Sequence, residues 1–365
     1  MRRLKTALSP LFRAPHYAGA LLFLLVAILL ASCGEKKEKT PDWDKETAKP
    51  EAGTGATPEQ PDAEPKQGSS GQPPKATAGQ SGELRFLSYN LKNYLTMVRY
   101  IDGERQDHKK SEKEVTALVE IVVSAKPDVV GLCEIGTLED LAGLQSLLKE
   151  AGLDLPHHEY AGGADETRHL ALLSRFPIAS ADSQGDKGTL TYKSVDADNN
   201  PREFAMQRGI LDATVQAGDE SVRFLGVHLK SKREAPEGHQ DLMRRNEAYL
   251  LRLHADRILE SEPDTQLCVY GDFNDSRRSS PVRSIQGPSK SNRFLGALRH
   301  KDSRGEVWTH YWDSEHIYSR FDYVLASKAL LPLFDPKQSR IVDDPRWSEA
   351  SDHRPLLTIF KLDHE

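Results

Sequence analysis

The chain has 365 residues, with 49 Lys and Arg against 55 Asp and Glu and a formal net charge of −6. That balance excludes a protein that grips nucleic acid through one broad basic surface, so any polyanion must be held locally or through bound cations. The length exceeds a typical single domain, but the two ends of the chain differ in character.

Arg2, Arg3, Lys5 and Arg13 precede the apolar run AGALLFLLVAILLAS, which is short for a transmembrane span, so residues 1–33 read as an export signal. The run leads into LASC, which resembles the bacterial lipobox and implies cleavage before Cys33 and lipid attachment there. An uncleaved signal anchor with an incidental cysteine is the alternative. Residues 34–82 are rich in Pro, Lys, Glu, Gly, Ser and Thr, with Trp43 the only aromatic residue, and read as a disordered tether that builds no core. The expected address is the bacterial cell envelope, lipid-anchored on the periplasmic or cell-surface side. Gly34, where an inner-membrane-retaining aspartate would stand, leans towards the outer membrane if enterobacterial sorting applies. Residues 83–365 then form one α/β domain, with a charge near −8 once leader and tether are set aside.

ELRFLSYNL opens this domain as a strand. SEKEVTALVEIVVSAKPD predicts a helix: Val115, Leu118, Val119, Val122 and Val123 share a face, Ser111 is the N-cap, Glu114 completes a capping box and Pro127 marks the stop. DVVGLCEI predicts a buried strand, TLEDLAGLQSLLKEAG a second helix closed by Gly152, and HLALLSRFPI another strand. AMQRGILDATVQAGDESVRFLGVHLKSK reads as a hairpin around Gly218 and Asp219, followed by a long polar-faced helix through HQDLMRRNEAYLLRLHADRILES. TQLCVYGDFN, FDYVLAS and HRPLLTIFKL supply three more strands. Strands outnumber helices and hairpins sit among crossovers, which points to an α/β fold of two mixed sheets packed together with helices outside. Cys133 and Cys268 fall in strand-like runs and read as separate buried thiols rather than a bridge.

The polar residues collect at strand ends. Asn90, Glu134, His228 and the pair Asp272 and Asn274 end strands, while Asp322 and the pair Asp352 and His353 begin the last two. Strand ends along one sheet edge are where binding sites gather. Turn formation, helix capping or ordinary polar contacts would explain any one of them, but the whole set would have to coincide. His108, His157, His158, His169, His239, His254, His310 and His316 read as ordinary polar residues, and Trp308, Tyr311 and Trp312 of VWTHYW as an aromatic group that stacks bases or simply packs.

Asp, Glu and Asn oxygens without a cysteine and histidine ligand cluster suit Mg²⁺ or Mn²⁺. Two histidines remain over, one to act on water and one as an acid or oxyanion donor, which describes metal-assisted hydrolysis of a phosphate ester. No G-x-S-x-G elbow or P-loop competes.

LSYNL, VVGLCEI, LALLSRFPI, GVHLKSK, VYGDFND, RFDYVLAS and SDHRP, in this order, resemble the endonuclease/exonuclease/phosphatase superfamily, the deoxyribonuclease I-like proteins, over residues 83–362. The resemblance implies a four-layer α/β sandwich of two mixed β-sheets flanked by helices, and a Mg²⁺-dependent phosphoesterase. It implies metal ligation by Glu134 with Asn90 beside it, completed or supported by Asp352, and room for a second divalent ion. Asp272 and Asn274 would hold the attacking water or phosphate and take part in that second site. His353 would act as general base or bind the phosphoryl oxygen, oriented by Asp322, while His228 resembles the general acid of the histidine-bearing branch. The exonuclease III pattern of tyrosine, proline and asparagine is absent there, which argues against a dedicated abasic-site enzyme. The carboxylate that supports the acid histidine in that branch has no clear counterpart; Glu166 is nearest, with register in question. Arg168 is a candidate phosphate contact, with a surface salt bridge as its alternative.

The reading favoured by the sequence is a lipid-anchored, extracytoplasmic nuclease acting on DNA or RNA, with Lys230, Lys232, Arg233, Arg277, Arg278 and Arg283 giving local positive charge. No protein partner is implied. A sphingomyelinase-like or other small-molecule phosphoesterase is the enzymatic alternative, and a non-catalytic binding module on the same fold is the rival from another class. The intact metal, base and acid positions argue against the last.

Overall fold

The structure, a computed structural model, describes residues 82–362. The expected leader, Cys33 with its expected lipid attachment, and the expected tether up to residue 81 lie outside the described residues.

Twelve strands build the two main sheets. In chain order they are β1 (Glu83–Tyr94), β2 (Val129–Ile135), β3 (His157–Ala161), β4 (His169–Ser174), β5 (Ile178–Ala181), β6 (Leu211–Ala217), β7 (Glu220–His228), β8 (Leu267–Asp272), β9 (Gly296–Ala297), β10 (Asp322–Ala326), β11 (Arg340–Ile341) and β12 (Leu356–Lys361). The first sheet runs β11-β12-β1-β2-β4-β3 and the second β9-β10-β8-β7-β6-β5. Both are mixed: β1 pairs β2 parallel and β12 antiparallel, and β8 pairs β7 parallel and β10 antiparallel.

The period-two alternation of each strand sorts its side chains between two cores. From β1, Leu87, Tyr89 and Leu91 face α1 (Glu112–Ala125) and α2 (Leu138–Glu150), whereas Leu84 and Phe86 face the second sheet. From β8, Cys268 and Tyr270 face the first sheet, and Leu267 and Val269 face α3 (Gln240–Ser261) and α4 (Ser280–Gln286). The order is therefore helices, sheet, sheet, helices. The expected capping box is present at α1: the Ser111 hydroxyl accepts from the Glu114 N–H, and the Glu114 carboxylate accepts from the Ser111 N–H at 2.8 Å. The thiols of Cys133 and Cys268 are free and buried.

Tyr270 knits the two sheets together. Its fully buried ring lies edge-on to Phe86 at 4.9 Å and covers Gly131 of β2 so closely that a Cβ there would come within 2.1 Å of it. No helix among the described residues is long and apolar enough to cross a membrane.

Candidate active site

Strand register sets the first row of the site. His228, the last residue of β7, lies beside Asp272 at the end of β8, and Asp272 lies beside Asp322 at the start of β10. Three polar residues from three different stretches of sequence therefore stand abreast at one edge of the second sheet. Gly271 makes this possible with φ +132°, where a Cβ would fall 1.9 Å from the Val227 carbonyl oxygen. Beyond it, Asn274 adopts φ +50°, gives its N–H to Asp272 Oδ1 at 2.8 Å and donates from Nδ2 to the Leu229 carbonyl at 2.9 Å.

The first sheet supplies the facing row. The ladder between β2 and β4 shifts at Glu134, which has φ +64°, as a bulge that re-aims its side chain. Glu134 Oε2 accepts from the Asn93 N–H at 2.8 Å. Asn90 Nδ2 lies between Glu134 Oε1 at 3.2 Å and Asp272 Oδ2 at 3.1 Å, so one amide joins the two sheets' carboxylates. Ser351 donates to the Asn90 carbonyl at 2.8 Å and lies 3.4 Å from Asp352 Oδ1, which brings the strand before β12 into the same edge.

His353 Nδ1 is 2.7 Å from Asp322 Oδ2, and its Nε2 is 3.8 Å from Asp272 Oδ2. Burial pulls the imidazole's pKa down, but the charges of Asp322 and Asp272 outweigh it and push it up to about 10. Burial, with the charges of Asp322 and Glu134, pushes the Asp272 carboxyl up to about 7 against the opposing effect of His353. His228 behaves oppositely: burial and the positive charges of Arg208, His353, Arg168 and Lys230 hold it well below the usual histidine range. At neutral pH the His228 ring is neutral and the His353 ring charged.

Oxygen donors on two opposed strand edges are what a hard divalent ion takes. Glu134 and Asp272 face each other with only an amide between them, and His228 Nε2 stands 3.8 and 3.6 Å from the same two oxygens. The donor chemistry of this edge thus fits Mg²⁺ or Mn²⁺, with Glu134, beside Asn90, as the carboxylate that would hold the ion and Asp272 facing it across the amide. A second candidate position is formed by His310, Asp352 and His353, whose ligand atoms lie within 4.8 Å of one another.

The edge therefore gathers Asn90, Glu134, His228, Asp272, Asn274, Asp322, Asp352 and His353. Asp352 turns towards His310 and His353, at 3.9 and 4.0 Å, rather than sharing a bond with Asn90 or Glu134. Arg168 donates from Nε to Asn93 Oδ1 at 2.8 Å, next to the Glu134 anchor, and lies 3.7 Å from Asp165. Glu166 is exposed, and no group among the described residues bonds His228 Nδ1, so the suggested pairing is not made. Two residues escaped the sequence reading. His310 had been set aside as ordinary, yet it bridges to His353 across the backbone, with ring centroids 4.7 Å apart. Arg208 lay inside an expected strand, yet it is buried with one nitrogen 3.2 Å from Asp165 and with Nε and Nη1 unbonded. Only an adjacent cue such as the Gly209 that breaks the strand marks it in the sequence.

The sequence profile of the Endonuclease/Exonuclease/phosphatase family matches residues 87–353. A search of curated proteins gave no match. An endonuclease/exonuclease/phosphatase family protein from Bacteroides thetaiotaomicron is similar in structure, with TM-score 0.51 and 17% identity over 78% of this chain and 100% of that one. The human Nocturnin catalytic domain with bound sulfate anion gives 0.50 and 16% over 77% and 95%, and truncated Caenorhabditis elegans TDP2 0.49 and 18% over 76% and 98%. The likeness to the Bacteroides and Nocturnin structures supports the two-sheet fold alone, and the profile match establishes the family. The chain belongs to the endonuclease/exonuclease/phosphatase family, whose members are hydrolases of phosphate esters.

Proposed function

We propose that this chain is a Mg²⁺- or Mn²⁺-dependent phosphodiesterase that cleaves DNA or RNA outside the cytoplasm, tethered to the cell envelope through lipid on Cys33. The observation that carries the chemistry is the paired row: Asp272 between His228 and Asp322 on one sheet, joined through Asn90 to Glu134 on the other.

In this reading the scissile phosphate lies over the Asp272 edge. Asp272, near neutrality and oriented by the Asn274 N–H, takes the proton from the attacking water. The charged His353 ring, fixed by Asp322, donates from Nε2 to a phosphoryl oxygen, and the neutral His228 ring donates to another or to the leaving oxygen. A divalent ion held at Glu134 beside Asn90 would supply Lewis-acid stabilisation of the charge that grows on the phosphoryl oxygens. Arg208 and Arg168 place positive charge on the His228 side. Nucleic acid as the substrate is supported by the aromatic group beside the site, where Tyr311 stacks on Tyr318 at 4.5 Å and gives its N–H to the Asp352 carbonyl.

A lipid phosphodiester is favoured by a different observation: Val307, Ile317 and Tyr318 are about half exposed on and before a short hairpin in which His310–Trp312 pairs with Ile317–Ser319, an apolar edge that suits acyl chains. The test is hydrolysis of plasmid DNA, RNA, sphingomyelin and phosphomonoesters by residues 83–365, with Mg²⁺ or EDTA, alongside His353→Ala. Metal-dependent nicking of nucleic acid lost in His353→Ala supports the nuclease; turnover of sphingomyelin alone replaces it with the lipid enzyme.

A further inference from the structure

Glu247 lies on α3, one layer behind the site, and is 0% exposed. Its surroundings on the helix are apolar, with Ala248, Leu251 and Ala255 packed into the core beneath the second sheet. Burial pushes its carboxyl up, and among the described residues no side chain hydrogen-bonds it. Its two oxygens are instead taken by backbone N–H groups from two separate segments: Gln207 at 3.0 Å and Lys230 at 2.6 Å. Gln207 immediately precedes Arg208, and Lys230 follows His228 by two residues. One helical turn earlier, Arg244 donates to the Lys230 carbonyl at 3.1 Å and to Asp275, next to Asn274, at 3.0 Å. An apolar residue at position 247 would strand two buried N–H groups, whereas one carboxylate spans both.

We infer that Glu247 is a positioning residue that fixes the spacing of the Arg208 and His228 segments, so that guanidinium and imidazole meet the same phosphoryl group. The inference rests on the phosphodiesterase reading. Neither segment is paired to the other in a sheet ladder at these residues: Gln207 lies before β6, and Lys230 lies after β7. The carboxylate supplies the link that the ladder does not.

The test is a double-mutant cycle on the full chain, using Glu247→Gln, Arg208→Ala and the pair, with Mg²⁺ present. Two readouts are taken: calorimetric affinity for inorganic phosphate, and kcat and KM for bis(p-nitrophenyl) phosphate. Glu247→Gln should weaken phosphate binding and lower kcat/KM by about tenfold each, and both losses should fall below about twofold in the Arg208→Ala background. A general structural weakening would instead give equal losses in the two backgrounds, and that result, or no loss in either, overturns the inference. If no diester is hydrolysed but the phosphate cycle is non-additive, the phosphodiesterase reading falls while the positioning role stands. A wild-type chain that neither binds phosphate nor hydrolyses the diester overturns both. Should Glu247→Gln fail to fold, Glu247→Asp, which shortens the reach and retains the charge, is judged by the same criterion.

Discussion

Arg354, the residue after His353, donates to Asp302 Oδ2 at 2.8 Å with both side chains fully buried, and its guanidinium lies 3.3 Å from the centroid of the Trp308 ring. This pair anchors the segment that presents His353. Removing one partner leaves a buried charge unpaired, so Asp302→Asn should lower stability by about 3 kcal/mol at pH 7, read by urea unfolding. Burial raises the Asp302 carboxyl, but the bonds from Arg354 and from the Glu306 and Arg304 N–H groups outweigh it and hold it down at about 2. A carboxyl depressed in the folded state adds stability above its unfolded value and loses it as pH falls through the folded one. The gap between Asp302→Asn and wild type should therefore close between about pH 4 and pH 2. A gap that stays constant over that range would show that this pair does not carry the stability.

The short bond from Asp322 to His353 predicts a different signature. Asp322→Asn retains the size of the side chain and removes the charge that keeps the ring protonated and fixed in orientation. Turnover of a phosphodiester should drop roughly 10³-fold, with KM changing far less. Equal falls in turnover and substrate affinity would assign Asp322 to binding instead.

Divalent-ion removal gives the third expectation. With Glu134 and Asp272 opposed across Asn90, Mg²⁺ at about a hundred times its dissociation constant should stabilise the fold by about 2.7 kcal/mol. EDTA should abolish that increment, and Glu134→Gln should melt alike with and without Mg²⁺. A variant still stabilised by Mg²⁺ would move the principal ion to the group of His310, Asp352 and His353.

Arg208 separates function from fold. Two of its nitrogens are buried without partners, so its present bonds hold little structure together. Arg208→Ala should change stability by no more than about 1 kcal/mol while lowering kcat on a phosphodiester about a hundredfold. A large loss of stability with unchanged kcat would make it a structural residue paired to Asp165.

Part of this site was legible because His228, Asp272 and Asp322 end or begin strands, and strand ends can be read from where alternation stops; Asn90, expected at the end of its strand, lies inside β1, which continues to Tyr94. Asp272 and Asn274 follow the run LCVYG, and Asp322 opens DYVLA, so burial pattern and polar cluster coincide. Two packed sheets with helices outside followed from the order of strands, helices and hairpins, and the four layers from the family resemblance. The pairing of strands did not follow, since β8 finds β10 across the whole stretch from residue 273 to 321. His310 was hidden because its own strand is only three residues long and its relation to His353 is made by a single bridge. Arg208 was hidden because an arginine at the foot of a hairpin looks like a solvated one until the fold buries it beside Asp165. No carboxylate pairs with His228 Nδ1 among the described residues: Glu166, the nearest in sequence, lies in the exposed bend before β4 rather than on the strand.

Tyr270 precedes Asp272 by two residues and packs between the two sheets, whose opposed edges carry the two halves of the chemistry. One half, Asn90, Glu134 and His353, rides on the first sheet and its flanking segment; the other, His228, Asp272 and Asp322, rides on the second. The ring wedged against Gly131 and Phe86 is the spacer between them. Close-packed interiors transmit small displacements rather than absorbing them. Catalysis in this protein is thus a gauge of its interior: a leaner or bulkier side chain at position 270 would detune the enzyme at temperatures where the fold itself is still intact.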